Sequence, residues 1–134
     1  MEEDEPLPEH FREEYLKILV AEDDNISFLF IQQLLKLPEV EVLRATDGRQ
    51  VIDLARQNPD VSLILMDIKM PEINGIEATR QIRAFNPSVP IIAQRAYTFS
   101  GEQEKALKAG CNDYITKPIN RTHLLKLMKL YTRS

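Results

Sequence analysis

The chain has 134 residues, 43% hydrophobic and 28% charged, with a formal net charge of −4. That length suits one domain, or one domain with a tail, and there are enough Leu, Ile and Val to exclude wholesale disorder. No apolar run approaches the ~20 residues of a membrane span, and the acidic balance argues against direct binding of nucleic acid. Met1 to Glu5 is acidic where a secretion signal would be basic. Cys111 is the single cysteine, so no intrachain disulfide and no cysteine-based zinc site is expected. A reducing, cytoplasmic setting and no direct membrane contact are the expectations.

Residues 1–16 read as an acidic tail or linker, and 17–134 as the folded domain. Met1 to Glu9 carries five acids and two prolines, too polar to bury itself. His10 to Leu16 reads as either a short helix or more linker. Lys17–Ala21 is a short apolar run cut off by Glu22-Asp23-Asp24-Asn25. A helix follows over Ile26–Leu37, capped by Asp24 or Asn25 and stopped before Pro38. Val40–Ala45 is the second strand. Asp47 caps a helix to Gln57 that places Val51, Leu54 and Ala55 on one face. Leu63–Met66 is the most hydrophobic strand, with Asp67 at its end. Asn74-Gly75 marks a turn into a helix ending at Phe85. Pro90–Ala93 is the fourth strand, Glu102–Ala109 a short helix, and Gly110 its stop. Asp113–Thr116 is the fifth strand. Asn120 caps a last helix with Leu124, Leu127, Met128 and Tyr131 on one face.

Five strands alternate with five helices. Continuous apolar strands indicate burial on both faces, hence a parallel sheet. Right-handed crossovers then give a doubly wound α/β sandwich, whose ligand site lies beyond the carboxyl ends of the strands. There the sequence places Glu22, Asp23 and Asp24 after strand one and Asp67 after strand three. Gln94 and Arg95 follow strand four, and Lys117-Pro118 follows strand five. Clustered carboxylates repel unless a cation intervenes, and oxygen ligands of this kind suit Mg2+ with a phosphate. Lys117 is a compact point charge for a phosphoryl oxygen.

Four segments carry a resemblance: Lys17–Asp23, Leu65–Gly75 (Leu-Met-Asp-Ile-Lys-Met-Pro-Glu-Ile-Asn-Gly), Pro90–Ala93 and Tyr114–Pro118. In this order, each at a strand end, they resemble the receiver domain of two-component response regulators over residues 17–131. The resemblance implies a flavodoxin-like three-layer (βα)5 sandwich with strand order 2-1-3-4-5. It implies that Asp67 accepts a phosphoryl group from a phosphohistidine on a histidine kinase or histidine phosphotransfer domain. Asp23 and Asp67 would hold Mg2+, with Glu22 acting directly or through water and the Lys69 backbone carbonyl adding a ligand. Lys117 would pair with Asp67 and then with the phosphoryl group. The Lys117–Pro118 bond would be cis, and Tyr114 would be the aromatic switch. Lys69 and Tyr97 occupy positions that tune dephosphorylation in the family. The output would be a changed surface on the fourth helix, fifth strand and fifth helix, which is also a candidate homodimer face. Such a module phosphorylates and dephosphorylates itself at most and is not otherwise an enzyme.

One position departs from the family. Arg95 stands where receivers carry Thr or Ser, and Thr98 and Ser100 lie too far along to replace it. Three readings of Arg95 stand open. It points to solvent, or it grips Asp67 or the phosphoryl group, or it is a change without an evolved role. The corresponding alternative function is a degenerate receiver that docks a partner without phosphorylation. A phosphatase with an Asp nucleophile would want an acid where Lys69 stands. A nucleotide- or flavin-binding module is unsupported by only four glycines and no Gly-x-Gly-x-x-Gly after a strand. His123 and His10 lack a Ser or Cys partner for a hydrolase triad. Cys111 reads as a small packed residue. The chain ends soon after the fifth helix, so no DNA-binding domain is expected. The tail suits a linker from an upstream domain, as in a hybrid sensor histidine kinase.

Overall fold

The computed structural model describes residues 15–95 and 100–132. The acidic tail through Glu14, and Tyr97 and Thr98, lie outside the described residues.

The strands are β1 Leu16–Ala21, β2 Val40–Ala45, β3 Leu63–Asp67, β4 Ile91–Arg95 and β5 Asp113–Thr116. The helices are α1 Asn25–Leu34, α2 Gly48–Gln57, α3 Gly75–Phe85, α4 Ser100–Ala109 and α5 Arg121–Thr132. All four strand pairings are parallel, in the order β2-β1-β3-β4-β5. This is the expected doubly wound, flavodoxin-like sandwich. β3 is central and buried throughout, whereas β2, at the edge, is mostly half-buried. That difference explains why Leu63–Met66 is the most apolar run: it has a core on each face.

Strand residues alternate between two cores. Leu19, Ala21, Ile64, Met66, Ile91, Ala93 and Tyr114 pack towards α2, α3 and α4. Ile18, Val20, Leu63, Leu65, Ile92 and Ile115 pack towards α1 and α5, against Phe28, Ile31, Leu124, Leu127 and Met128. Four helices begin on side-chain caps. Asp24 accepts from Ser27 N at 2.8 Å, Asp47 from Gln50 N at 2.8 Å, Asn74 from Glu77 N at 3.0 Å and Asn120 from His123 N at 2.9 Å. Each such cap contributes about 1 kcal/mol.

Several boundaries differ from the sequence reading. Leu16 is not tail: it is buried and aligned with Val40, so β1 starts one residue early. α1 stops at Leu34 rather than Leu37. Leu35 closes it with its N–H on the Ile31 and Gln32 carbonyls, and leaving the helix lets Leu37 also bury. β4 runs on to Arg95 because Ile68 N donates to the Gln94 carbonyl at 3.2 Å and Lys117 N to that of Arg95 at 2.6 Å. Gln94 and Arg95 therefore belong to the strand, and both are buried. α4 begins at Ser100, two residues before Glu102. Tyr131 is half-buried, its hydroxyl donating to Asp113 Oδ2 at 2.9 Å and to the Asn112 carbonyl at 3.1 Å.

Candidate functional site

The site sits where the apolar strands end. Residues two apart along a strand share a face. Glu22 follows Val20, Asp67 follows Leu65 and Lys117 follows Ile115 at that spacing, all on the α1/α5 face. The fold thus brings one acid from each of two central strands and one lysine from an edge strand to a single rim.

The Lys117 ammonium donates to Glu22 Oε1 at 2.5 Å and to Asp67 Oδ2 at 3.0 Å. Glu22 is fully buried and Asp67 is 5% exposed, while Asp23 is exposed beside them. Carboxylate oxygens of Glu22, Asp23 and Asp67 lie within 4.8 Å of one another. The other Glu22 oxygen accepts from Asp24 N at 3.1 Å, and Asp67 Oδ1 from Lys69 N at 3.1 Å. The Lys69 side chain is exposed. Burial lifts the Glu22 carboxyl above its ordinary range; the bond from Lys117 opposes this and the Asp67 charge adds to it. Burial pulls the Lys117 ammonium down, but its bonds to Glu22 and Asp67 outweigh that and hold it above its ordinary value. Lys117 therefore carries a full charge at neutral pH. The Lys117–Pro118 peptide is cis.

This donor set fits Mg2+. Three carboxylates converge on one volume with a single cation between two of them, and hard oxygen ligands are what Mg2+ takes.

Arg44, absent from the sequence reading, braces this rim. Its Nε and Nη2 donate to the Glu22 carbonyl at 3.2 and 3.1 Å, and Nη2 also donates to Asn25 Oδ1 at 2.9 Å. Its guanidinium carbon lies 4.5 Å from the centre of the Phe28 ring. Asp24 is a helix cap, as its position suggested.

Arg95 corrects the solvent-exposed alternative. It is 5% exposed and forms an ion pair with Glu102 on α4, Nη1 to Oε1 at 2.5 Å. It lies on the α2/α3/α4 side, the alternate face from Gln94. Tyr114 shares that side. It is buried, its hydroxyl has no hydrogen-bond partner among the described residues, and burial raises its pKa. Gln94 is fully buried, and neither polar atom of its carboxamide has a partner among the described residues. An unsatisfied buried amide costs about 1–3 kcal/mol, so it calls for an explanation. The sequence flagged Gln94 only as a polar strand end. A polar residue inside an otherwise apolar strand was the available signal. Nothing local pointed to Glu102, because the pairing crosses from strand to helix.

Beside Lys117 lies a groove of about 570 Å³ lined by Ile26, Ser27, Phe30, Ile31, Pro118 and Ile119. Ile26, Leu29 and Phe30 are large apolar side chains exposed on α1. Among the described residues no helix is long and apolar enough to cross a membrane.

The family model of the response regulator receiver domain matches residues 18–129. Hybrid signal transduction histidine kinase I of Dictyostelium discoideum is 40% identical over 112 residues, a match covering 78% of this chain and 6% of that protein. The polar-differentiation response regulator DivK of Brucella anthropi is 32% identical over 117 residues, covering 85% of this chain and 94% of DivK. Among solved structures, the receiver domain of sensor histidine kinase PA1611 from Pseudomonas aeruginosa is 36% identical with a TM-score of 0.82, over 89% of this chain and 98% of that one. That structure has a magnesium ion coordinated in its active site cleft. The receiver domain of Ssk1 from Saccharomyces cerevisiae, solved with the histidine phosphotransfer protein Ypd1, is 29% identical with a TM-score of 0.81, over 89% and 90% of the two chains. The match runs from the first strand into the last helix, and DivK, above 30% identity, is matched over 94% of its length, so the chain belongs to the response regulator receiver domain family.

Proposed function

We propose that the protein is a phosphoacceptor in a two-component phosphorelay, with Asp67 taking a phosphoryl group from a phosphohistidine on a histidine kinase or histidine phosphotransfer domain. The observation that carries this is Lys117 bonded to both Glu22 and Asp67, with Asp23 completing the carboxylate cluster. An oxygen of Asp67 attacks phosphorus, the P–N bond breaks, and the imidazole nitrogen leaves with its electron pair. Phosphoryl transfer has a loose transition state, so positioning and charge neutralisation supply most of the catalysis. Lys117 neutralises one side of the phosphoryl group and holds Asp67 in place before it arrives. Glu22, Asp23, Asp67 and the Lys69 carbonyl would hold Mg2+, which supplies charge neutralisation on the other side.

The donor must bring its phosphohistidine to Asp67, so its docking face includes the exposed Ile26, Leu29 and Phe30 and the groove beside Lys117. The Ssk1–Ypd1 complex supports a phosphotransfer protein as that partner. The response is a change at the α4-β5-α5 surface through Tyr114, where exposed Leu107 and Leu130 also offer a homodimer contact. A cytoplasmic location and an origin within a longer hybrid kinase, joined through the acidic segment ahead of β1, belong to the same reading.

Acetyl phosphate with Mg2+ tests it. Intact mass should show one added phosphoryl group, absent in Asp67→Asn. No gain with the fold intact favours the second reading, a phosphorylation-independent docking module. The buried Arg95–Glu102 pair at the switch position is what supports that reading.

A further inference from the structure

We propose that Gln94 is a further catalytic residue of the acceptor site, its carboxamide donating to a phosphoryl oxygen on Asp67. The inference rests on the phosphoacceptor reading and adds to it a donor from β4.

Gln94 aligns with Asp67 on β3 and with Ile115 on β5. Aligned residues of parallel strands send their side chains to the same face. That face, with Ile92 and Ile115, is also the face of Asp67, Glu22 and Lys117. β4 lies between β3 and β5, so the 3.0 Å bond from Lys117 to Asp67 passes over the end of β4 on the side of Gln94. Gln94 therefore lies at the end of β4 on the side that this bridge spans. Gln94 is fully buried, and its amide nitrogen and oxygen both lack a partner among the described residues.

A phosphoryl group on Asp67 has three outer oxygens. Lys117 can serve one, and a cation held by the carboxylates would serve another. The third needs a donor. Arg95, next along the strand, leaves on the other face and is ion-paired with Glu102. Gln94 is the buried β4 donor on the acceptor's face. An amide kept unsatisfied in the core is what a donor awaiting its acceptor looks like, since buried polar groups are otherwise paired.

Beryllofluoride with Mg2+ serves as the phosphoryl probe. Gln94→Met keeps the length and removes the donor. It should fold with an equal or higher melting temperature and bind Mg2+ alone as before. It should bind beryllofluoride about tenfold more weakly, the scale of one hydrogen bond to a charged group. In the unmutated protein, the Gln94 side-chain NH2 resonances should move downfield on adding beryllofluoride and slow their hydrogen exchange. Unchanged beryllofluoride affinity in Gln94→Met, or unmoved Gln94 resonances where that variant does not fold, overturns the inference and leaves the acceptor reading standing. An unmutated protein that takes neither beryllofluoride nor a phosphoryl group from acetyl phosphate overturns both.

Discussion

The Arg95 guanidinium is 5% exposed, and Glu102, which pairs with it, is only partly exposed. Breaking an ion pair from one side weakens the compensation of the buried charge that remains, and this costs more than removing both charges together. Glu102→Gln should therefore destabilise the domain by about 1–3 kcal/mol in urea denaturation, below the fully buried range because Glu102 meets water. Arg95→Thr should cost less, and the double variant should be non-additive. Additive losses would show that the pair carries no coupling. Cys111 is governed by burial too. It sits against Thr79 Oγ1 at 3.6 Å, and burial raises its thiol pKa, opposed by Thr79 and Arg83. A raised folded pKa means a stabilising contribution that is complete below the unfolded thiol's pKa and lost as pH rises through the folded one. Stability should thus decline from about pH 9 upward, and Cys111→Ala should flatten that decline. Thiol labelling at pH 8 should be slow in the native protein and rapid in urea.

At the scale of elements, glycines and caps decide where Asp67 lies. Gly75 opens α3 so close to β3 that a Cβ there would stand 2.2 Å from the Asp67 carbonyl oxygen. Its N–H donates to the Ile68 carbonyl at 2.8 Å, tying the helix start to the residue after Asp67. Gly75→Ala must push backbone rather than a flexible side chain. A loss of about 1–3 kcal/mol or more is expected, together with reduced acetyl phosphate uptake. Normal uptake in a stable variant would show that β3 and α3 move apart without disturbing Asp67. Gly110 ends α4 at φ 122°, a conformation that favours glycine. Arg83 fastens the same corner, donating to the Gly110 carbonyl at 3.0 Å and to Asn112 Oδ1 at 2.9 Å. Asn74-Gly75 and Gly110 were readable as punctuation because their roles are local. The end of α1 was not. Pro38 only bounds a helix from beyond, and the earlier stop comes from Leu35 and Leu37 both finding the core.

For the whole molecule, short continuous apolar runs and caps before the helices were enough to read the sheet and to place Glu22, Asp23, Asp67 and Lys117 on one rim. Such features follow from residue type and spacing along the chain. The Arg95–Glu102 pair, the Arg44 brace and the unpartnered Gln94 were not legible, because they depend on which face a strand residue takes and what a distant element presents there. The rim itself makes a test at this scale. Glu22, Asp23 and Asp67 are held together against mutual repulsion, and Lys117 is bonded to the two buried ones. Mg2+ at about 100 times its Kd should stabilise the fold by about 2.7 kcal/mol, raising the melting temperature by on the order of 8 °C over the EDTA-treated protein. Lys117→Ala and Asp67→Asn should shift that gain in opposite directions. Without its ammonium, Lys117→Ala leaves two buried carboxylates uncompensated, so it should melt lower in EDTA and gain more from Mg2+ than the unmutated protein. Asp67→Asn removes one carboxylate of the cluster and relieves repulsion, so it should melt no lower in EDTA and gain less. Equal Mg2+ gains in all three proteins would place the cation somewhere other than this cluster.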